Sequence, residues 1–170
     1  MAAARQRLST RWGWHPLASE WADRLVREAP VRRGDVVVDL GAGDGALTEP
    51  LSELGCRVLA LELHPARAAA LRERFEGTRV AVLELDVRAF HWPGHPFRVV
   101  ANPPYAGINA LARDLLRVRQ LRSADLVVAE SAARGLLRHH PGRIRLGRQI
   151  PRAAFRHPPP ESARVVLIRR

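Results

Sequence analysis

The sequence has no lysine and only one cysteine and one tyrosine among its 170 residues. The single Cys56 excludes an intramolecular disulfide and a thiolate metal cluster. Two adjacent histidines, His139 and His140, cannot easily face one ion. No apolar run approaches the roughly 20 residues that cross a bilayer, and the N-terminus has neither an apolar core nor a cleavage signal. We therefore expect a soluble, cytoplasmic protein without a metal site.

The charge of the chain is strongly biased toward arginine. There are 28 arginines against 17 aspartates and glutamates, and the net charge is +11. A GC-rich genome would account for arginine in place of lysine, but not for the surplus of positive charge. A surplus of this size predicts a polyanionic partner, and the planar guanidinium group grips phosphates and stacks on bases. Nucleic acid is therefore the expected partner.

Strand-like and helical segments alternate along the chain. Hydrophobic residues make up 46% of the sequence, which suits one globular domain over residues 1–170. The alternation predicts an α/β fold, a doubly wound, mostly parallel sheet with helices on both faces. The predicted strands are residues 35–40, 57–62, 79–85, 97–101, 126–129 and 164–169, and the predicted helices include residues 17–28, 65–75, 108–118 and 131–139.

A glycine turn joins the first predicted strand to a helical stretch, in residues 39–46 (DLGAGDGA). Glycine lets the backbone approach a ligand closely. The turn also fits the dinucleotide-binding pattern of a dehydrogenase, or it is a tight turn with a purely structural role. Glu62 ends the second strand, 19 residues after Gly43, as expected for an acid that binds ribose hydroxyls. Asp86 follows the third strand and either accepts from an adenine amine or is a solvated loop acid.

The turn formed by residues 102–105, which we call the NPPY turn, follows the fourth predicted strand. It lies at the edge where open α/β sheets bind ligands. Two prolines make the turn rigid and leave two acceptors, the Asn102 side chain and the Pro103 carbonyl. These acceptors suit the amino group of a planar base, with Tyr105 stacked on its ring. No strong base is needed, so the electrophile must be a sulfonium methyl. An ordinary turn is the alternative, since Asn-Pro is a common turn pair.

The order of these motifs resembles that of the S-adenosylmethionine-dependent adenine N6-methyltransferases. Within that class, residues 154–163 (AFRHPPPESA) resemble the F-x-P-x-P…S-A signature of the rRNA adenine dimethylases, the Erm and KsgA group. The resemblance covers nearly the whole chain. It implies a Rossmann-like class I methyltransferase fold, S-adenosyl-L-methionine as cofactor and ribosomal RNA as partner.

The resemblance implies a role for each residue of these motifs. Gly41 and Gly43 would contact the methionine part of the cofactor. Glu62 would bind its ribose hydroxyls, and Asp86 would accept from its adenine amine. The NPPY turn would hold the target N6, and two aromatic rings would enclose a base flipped out of its stack. The implied cofactor-binding residues are His15, Leu17, Gly41, Gly43, Glu62, Asp86 and Asn102, and the implied catalytic residues are Asn102, Pro103, Tyr105 and Phe155.

The chain departs from the family pattern in its start and its length. The family carries an S-Q-N-F-L run before the first helix, where residues 13–17 read GWHPL, so that His15 stands in place of an asparagine. The signature's V-D before S-A is shortened to Glu161. Most members add a helical domain after the last strand, and this chain resembles a short actinobacterial form without one. We expect a monomer that grips RNA through a basic N-terminal arm, about residues 1–16, and through residues 134–156.

These features favour N6-methylation of an adenine in 23S rRNA, of the kind that confers macrolide–lincosamide–streptogramin resistance. Three alternatives are a 16S rRNA adenine dimethyltransferase of ribosome assembly, a DNA adenine methyltransferase, and a degenerate fold that only binds RNA. The residues 154–163 argue against a DNA substrate. Whether one or two methyl groups are added stays open.

Overall fold

A computed structural model describes residues 15–104 and 106–170. They contain one seven-stranded sheet with the order β3-β2-β1-β4-β5-β7-β6, in which β7 alone runs antiparallel to its neighbours. The expected basic residues of the N-terminal arm up to residue 14, and Tyr105, lie outside the described residues. The strands are β1 (Val36–Leu40), β2 (Arg57–Leu61), β3 (Val80–Leu83), β4 (Phe97–Ala101), β5 (Leu121–Ala129), β6 (Arg145–Ile150) and β7 (Ala163–Arg169).

Helices cover both faces of this sheet. Alternate strand residues enter two separate apolar clusters: Val37 packs with helices α1 to α3 on one face, and Val38 packs with α4 and α5 on the other. The class I methyltransferase fold expected from the sequence is therefore confirmed. The helices are α1 (Ser19–Glu28), α2 (Thr48–Glu53), α3 (Pro65–Arg74), α4 (Ile108–Leu115) and α5 (Glu130–His139).

Two element predictions were incomplete. The strand expected at 126–129 begins at Leu121, and the strand Arg145–Ile150 was not predicted. This strand lies at the edge of the sheet, and most of its residues are exposed or half-buried. An edge strand of this kind has no continuous apolar run, because only part of it faces the core.

The strand order places the ligand-binding edge of the sheet. The order reverses between β1 and β4, because β1 continues to β2 on one side and β4 continues to β5 on the other. In open α/β sheets, ligands bind in the crevice at the carboxyl ends of the strands at such a reversal. The glycine turn after β1 and the NPPY turn after β4 both border it. No helix in residues 15–104 or 106–170 is long and apolar enough to span a membrane.

Candidate active site

A cavity of about 630 Å³ opens at the carboxyl ends of β1 to β4. Its size is typical of small-molecule and cofactor sites, which range over about 300–1,000 Å³. Most of the sequence-predicted residues line it, together with apolar side chains of the segment after β3. The lining includes His15, Leu17, Asp39, Gly41, Asp44, Glu62, Asp86, Arg88, Phe90, Trp92, Asn102 and Pro103.

The glycine turn packs closely against the NPPY turn. Gly41 has φ +73°, a left-handed conformation that side chains disfavour, and a Cβ there would lie 3.0 Å from Cδ of Pro104. Gly41 lines the cavity, but Gly43 does not. The main-chain N–H of Gly43 instead donates to Oε2 of Glu62 at 2.8 Å. Gly43 therefore holds the acid, and its implied contact with the cofactor stays a prediction.

Glu62 is held rigidly at the end of β2. Its side chain is only 4% exposed, and Oε1 accepts from the main-chain N–H of His64 at 2.7 Å and from Nη2 of Arg67 at 2.9 Å. The bond from Gly43 is the third. A carboxylate offers about four lone-pair sites, so one site on Oε2 is left for a hydroxyl donor in the cavity. This arrangement fits a ribose diol.

Asp86 lies after β3, on the rim of the cavity. Its carboxylate accepts from the main-chain N–H of Arg88 at 2.8 Å and from the guanidinium of the same residue at 2.6 Å. Hydrogen bonds from Arg88 lower the pKa of Asp86 to about 2, because they stabilise the charged form. The group is therefore ionised, and its oxygens can only accept hydrogen bonds, as from an adenine amine.

Asn102 is oriented by a contact across 87 residues of sequence. Its Nδ2 donates to the main-chain carbonyl of His15 at 2.7 Å. Because the amide nitrogen is engaged there, Oδ1 is the acceptor that Asn102 offers to a ligand. Pro103 lines the cavity beside it. Tyr105, the expected stacking partner, lies outside the described residues.

The two segments that carry the family-like motifs pair with each other. Leu17 and Phe155 form an isolated antiparallel bridge, with hydrogen bonds from the N–H of Ala18 to the carbonyl of Ala154 at 2.8 Å and from the N–H of Arg156 to the carbonyl of Pro16 at 2.9 Å. Residues 154–157 therefore hold residues 15–18, which in turn line the cavity and orient Asn102.

The position of Phe155 differs from the expectation. Its side chain is 3% exposed, belongs to the apolar cluster that contains Leu17, and does not line the cavity. The structure thus does not bring Phe155 together with Asn102 to enclose a base.

The sequence reasoning missed Asp39, a titratable group buried in the cavity wall. Asp39 is 1% exposed, and Thr48 donates to its Oδ2 at 2.7 Å. Burial raises the pKa of Asp39 from 3.8 to about 7, with a smaller upward contribution from Glu62 and an opposing one from the Thr48 hydrogen bond. The available signal was its place at the start of the DLGAGDG motif, from which we predicted a role only for the glycines.

Asp44 ties the glycine turn to the paired segments. Its Oδ2 accepts from Nη2 of Arg156, and its Oδ1 is a buried oxygen without a hydrogen-bond partner among residues 15–104 and 106–170. Asp44 lines the cavity. An unpartnered carboxylate oxygen there suits a positively charged or N–H-bearing part of a ligand.

Comparisons with known proteins agree with this geometry. The family model described as ribosomal RNA adenine dimethylase matches residues 7–147. An rRNA adenine N-6-methyltransferase of Streptomyces fradiae is 36% identical over 134 residues, which cover 77% of this chain and 41% of the relative. A ribosomal RNA small subunit methyltransferase A of Leifsonia xyli is 40% identical over 114 residues, covering 62% of this chain and 40% of the relative.

Solved structures share the fold. The crystal structure of the 23S rRNA methyltransferase ErmE superimposes with a TM-score of 0.82 at 24% identity, over 91% of this chain and 69% of that chain. The chain spans about two fifths of the length of the Streptomyces and Leifsonia relatives. Since the family model matches most of its residues and a relative is more than 30% identical over 77% of it, the chain belongs to the ribosomal RNA adenine dimethylase family.

Proposed function

We propose that the chain transfers the methyl group of S-adenosyl-L-methionine to N6 of an adenine in ribosomal RNA. The observation that carries the proposal is the hydrogen bond from Asn102 to the His15 carbonyl, because it presents Oδ1 of Asn102 as an acceptor at the NPPY turn. The cofactor supplies an electrophilic sulfonium methyl. Glu62 lines the cavity and fits its ribose hydroxyls, and Asp86, whose pKa is lowered by hydrogen bonds from Arg88, fits its adenine amine.

The chain's residues contribute by holding the acceptor nitrogen. Asn102 Oδ1 and the Pro103 carbonyl accept hydrogen bonds from the two N–H groups of N6. These bonds direct the nitrogen lone pair at the methyl group. The cofactor would supply the methyl group for the new N–C bond, and the electron pair of its C–S bond would leave with a neutral thioether. The methylated nitrogen then loses one proton to water, so that charge and atoms balance without a strong base in the site.

We further propose large-subunit rRNA as the substrate. The support is the likeness to the 23S rRNA methyltransferase ErmE, whose fold matches with a TM-score of 0.82. A second candidate is small-subunit rRNA, favoured by the 40% identity to the Leifsonia xyli enzyme. Both substrates present an adenine, so the same NPPY chemistry serves either one.

Methyl transfer to separated rRNAs tests the proposal. Unmodified large- and small-subunit rRNAs are incubated with the chain and labelled cofactor, and the label is then mapped to a nucleotide. We expect label on N6 of an adenine in the large-subunit RNA. Label only in the small-subunit RNA would select the second candidate. Cofactor binding measured by calorimetry, with no transfer to either RNA, would contradict both. No cofactor binding would favour a degenerate fold that only binds RNA.

A further inference from the structure

Exposed arginines form a row along the amino ends of the parallel strands, on the edge of the sheet opposite the cavity. Arg57 is the first residue of β2, and Arg79 directly precedes β3 beside it, where its carbonyl accepts from the N–H of Val58. Arg33 precedes β1, and its Cγ lies 3.0 Å from where a Cβ on Gly55 would sit, in the turn before β2. We call Arg33, Arg57, Arg79, Arg119 and Arg122 the amino-edge arginines; the last two lie in the turn before β5 and in its first residues.

The amino-edge arginines carry charge that no carboxylate balances by contact. All five are exposed, and none forms an ion pair or a side-chain hydrogen bond with the residues that the structure describes. The arginines that line the cavity differ, because Arg67 pairs with Glu62 and Arg88 pairs with Asp86. The free positive charge thus faces away from the site already described.

Acidic residues on the same edge do not cancel this charge. Asp35 is occupied by Arg98, whose Nε donates to it at 2.7 Å. Glu53 and Glu76 precede the turns into β2 and β3, and neither pairs with an arginine within the described ranges. Even with both counted, the five amino-edge arginines leave a positive excess along the edge.

The spacing of the row suits a chain of phosphates. Neighbouring strands lie about 4.8 Å apart, so the row from β3 across β2, β1 and β4 to β5 extends over roughly 20 Å. Each guanidinium can bind a phosphate with two parallel hydrogen bonds. A row of such groups matches an extended polyanion better than a single small anion.

We propose that the amino-edge arginines bind the phosphate backbone of a second segment of the RNA substrate, distinct from the segment that supplies the adenine. This inference rests on the proposed function. The strands between the two edges are about five residues long, or roughly 17 Å. A short hairpin seated at the cavity therefore need not reach the opposite edge. The preferred substrate is a folded RNA with a further helix or strand that passes along the amino edge.

A pair of triple variants tests the inference. Arg33→Gln, Arg57→Gln and Arg79→Gln together remove three charges from the amino edge. Arg24→Gln, Arg27→Gln and Arg72→Gln remove three exposed charges from α1 and α3 and serve as the control for loss of charge elsewhere, with the difference that Arg72 pairs with Glu84. The steady-state constants kcat and KM are measured on full-length rRNA and on a short hairpin that carries the mapped adenine.

We expect the amino-edge variant to raise KM for the long RNA by about tenfold or more, with a log KM against log salt slope shallower by about 2 to 3. Its kcat, and its KM for the hairpin, should equal those of the wild type. An unchanged KM for the long RNA would overturn the inference. So would an equal rise of KM in the control variant, or an equal rise of KM for the hairpin.

Two additional arms keep this test separate from the proposed function. If the wild type methylates neither RNA, the proposed function fails, and filter binding of the unmodified long RNA still reports the contribution of the row. Vesicles with and without phosphatidylserine form the second arm. Wild-type binding to the anionic vesicles that the amino-edge variant loses, with RNA affinity unchanged, would assign the row to a membrane surface and overturn the inference.

Discussion

The side-chain amide of Asn102 donates to the main-chain carbonyl of His15 at 2.7 Å. The contact uses the backbone of residue 15, which every residue has. The His15 ring instead contacts the carbonyl of His157 through Nδ1 at 2.8 Å. Since a carbonyl can only accept, Nδ1 carries the proton. The side chain of residue 15 is therefore tied to the 154–157 segment, while its backbone orients Asn102.

Replacement of Asn102 by alanine should abolish most turnover. The variant loses an acceptor that polarises the reacting amine, and loss of one such preorganised group costs about 10²–10³ in kcat. The dissociation constant for the cofactor should stay within a few-fold of wild type. Asn109→Ala, an exposed asparagine in the first turn of α4, is the matched control and should keep wild-type kcat. A loss of cofactor binding with unchanged kcat at saturation would show that Asn102 serves the cofactor instead.

Replacement of Glu62 by glutamine should weaken cofactor binding more than it lowers kcat, which is the reverse of the effect expected for Asn102→Ala. The amide keeps one acceptor but turns a donor toward Arg67 or Gly43, and it loses charge-assisted bonds worth about 1.5–3 kcal/mol each. We expect the cofactor dissociation constant to rise about 10- to 100-fold, with kcat little changed at saturating cofactor. Calorimetry and initial rates measure the two effects. Glu53→Gln, an exposed glutamate, should change neither; equal affinity in both variants would contradict the role of Glu62.

Replacement of Asp39 by asparagine should change how stability depends on pH. The pKa of Asp39 is raised from 3.8 to about 7 in the folded protein, so the folded state binds the proton more tightly than the unfolded state. Between these two values the group therefore lowers the free energy of unfolding as pH rises, at about 1.4 kcal/mol per pH unit. Above about 7 its contribution is constant.

Chemical denaturation of both proteins from pH 4 to pH 8 measures this effect. The free energy of unfolding of Asp39→Asn minus that of wild type should increase up to about pH 7 and then level off. The difference cancels titrations that the two proteins share. A difference that is independent of pH over this range would show that Asp39 ionises in the folded protein as it does in the unfolded chain.

Replacement of Phe155 by leucine separates a packing role from a base-stacking role. Because Phe155 is 3% exposed in the core, the smaller side chain should lower the free energy of unfolding by about 1–3 kcal/mol. The kcat of the folded enzyme should stay near wild type. Phe75→Leu, in the same apolar cluster, should behave alike. Unchanged stability with a collapse of kcat in Phe155→Leu alone would mean that the ring stacks on the base.

Local sequence patterns predicted most of the fold. The strand Phe97–Ala101 has the bounds that its apolar run indicates, and the helix Pro65–Arg74 ends one residue before its predicted end. The exposed edge strand Arg145–Ile150 escaped prediction because its pairing with β7 stabilises it, rather than an apolar run of its own. Pairing between distant segments leaves no periodicity in the sequence.

The site was predictable where it depends on residue type at a strand end. Glu62 and Asp86 line the cavity as their spacing indicated. The contacts that depend on distant backbone could not be predicted, because any residue supplies the carbonyl that Asn102 meets at His15. The burial of Phe155 and the raised pKa of Asp39 likewise follow from how segments far apart in the chain pack together.

Nucleoside mass spectrometry of methylated rRNA tests the central claim most directly. Unmodified rRNA is treated with the chain and S-adenosyl-L-methionine, digested to nucleosides and compared with a parallel reaction of Asn102→Ala. We predict N6-methylated adenosine in the wild-type reaction and almost none with the variant. Methylation of another base or atom, or equal yields from both proteins, would contradict the assignment of adenine N6 transfer to the NPPY turn.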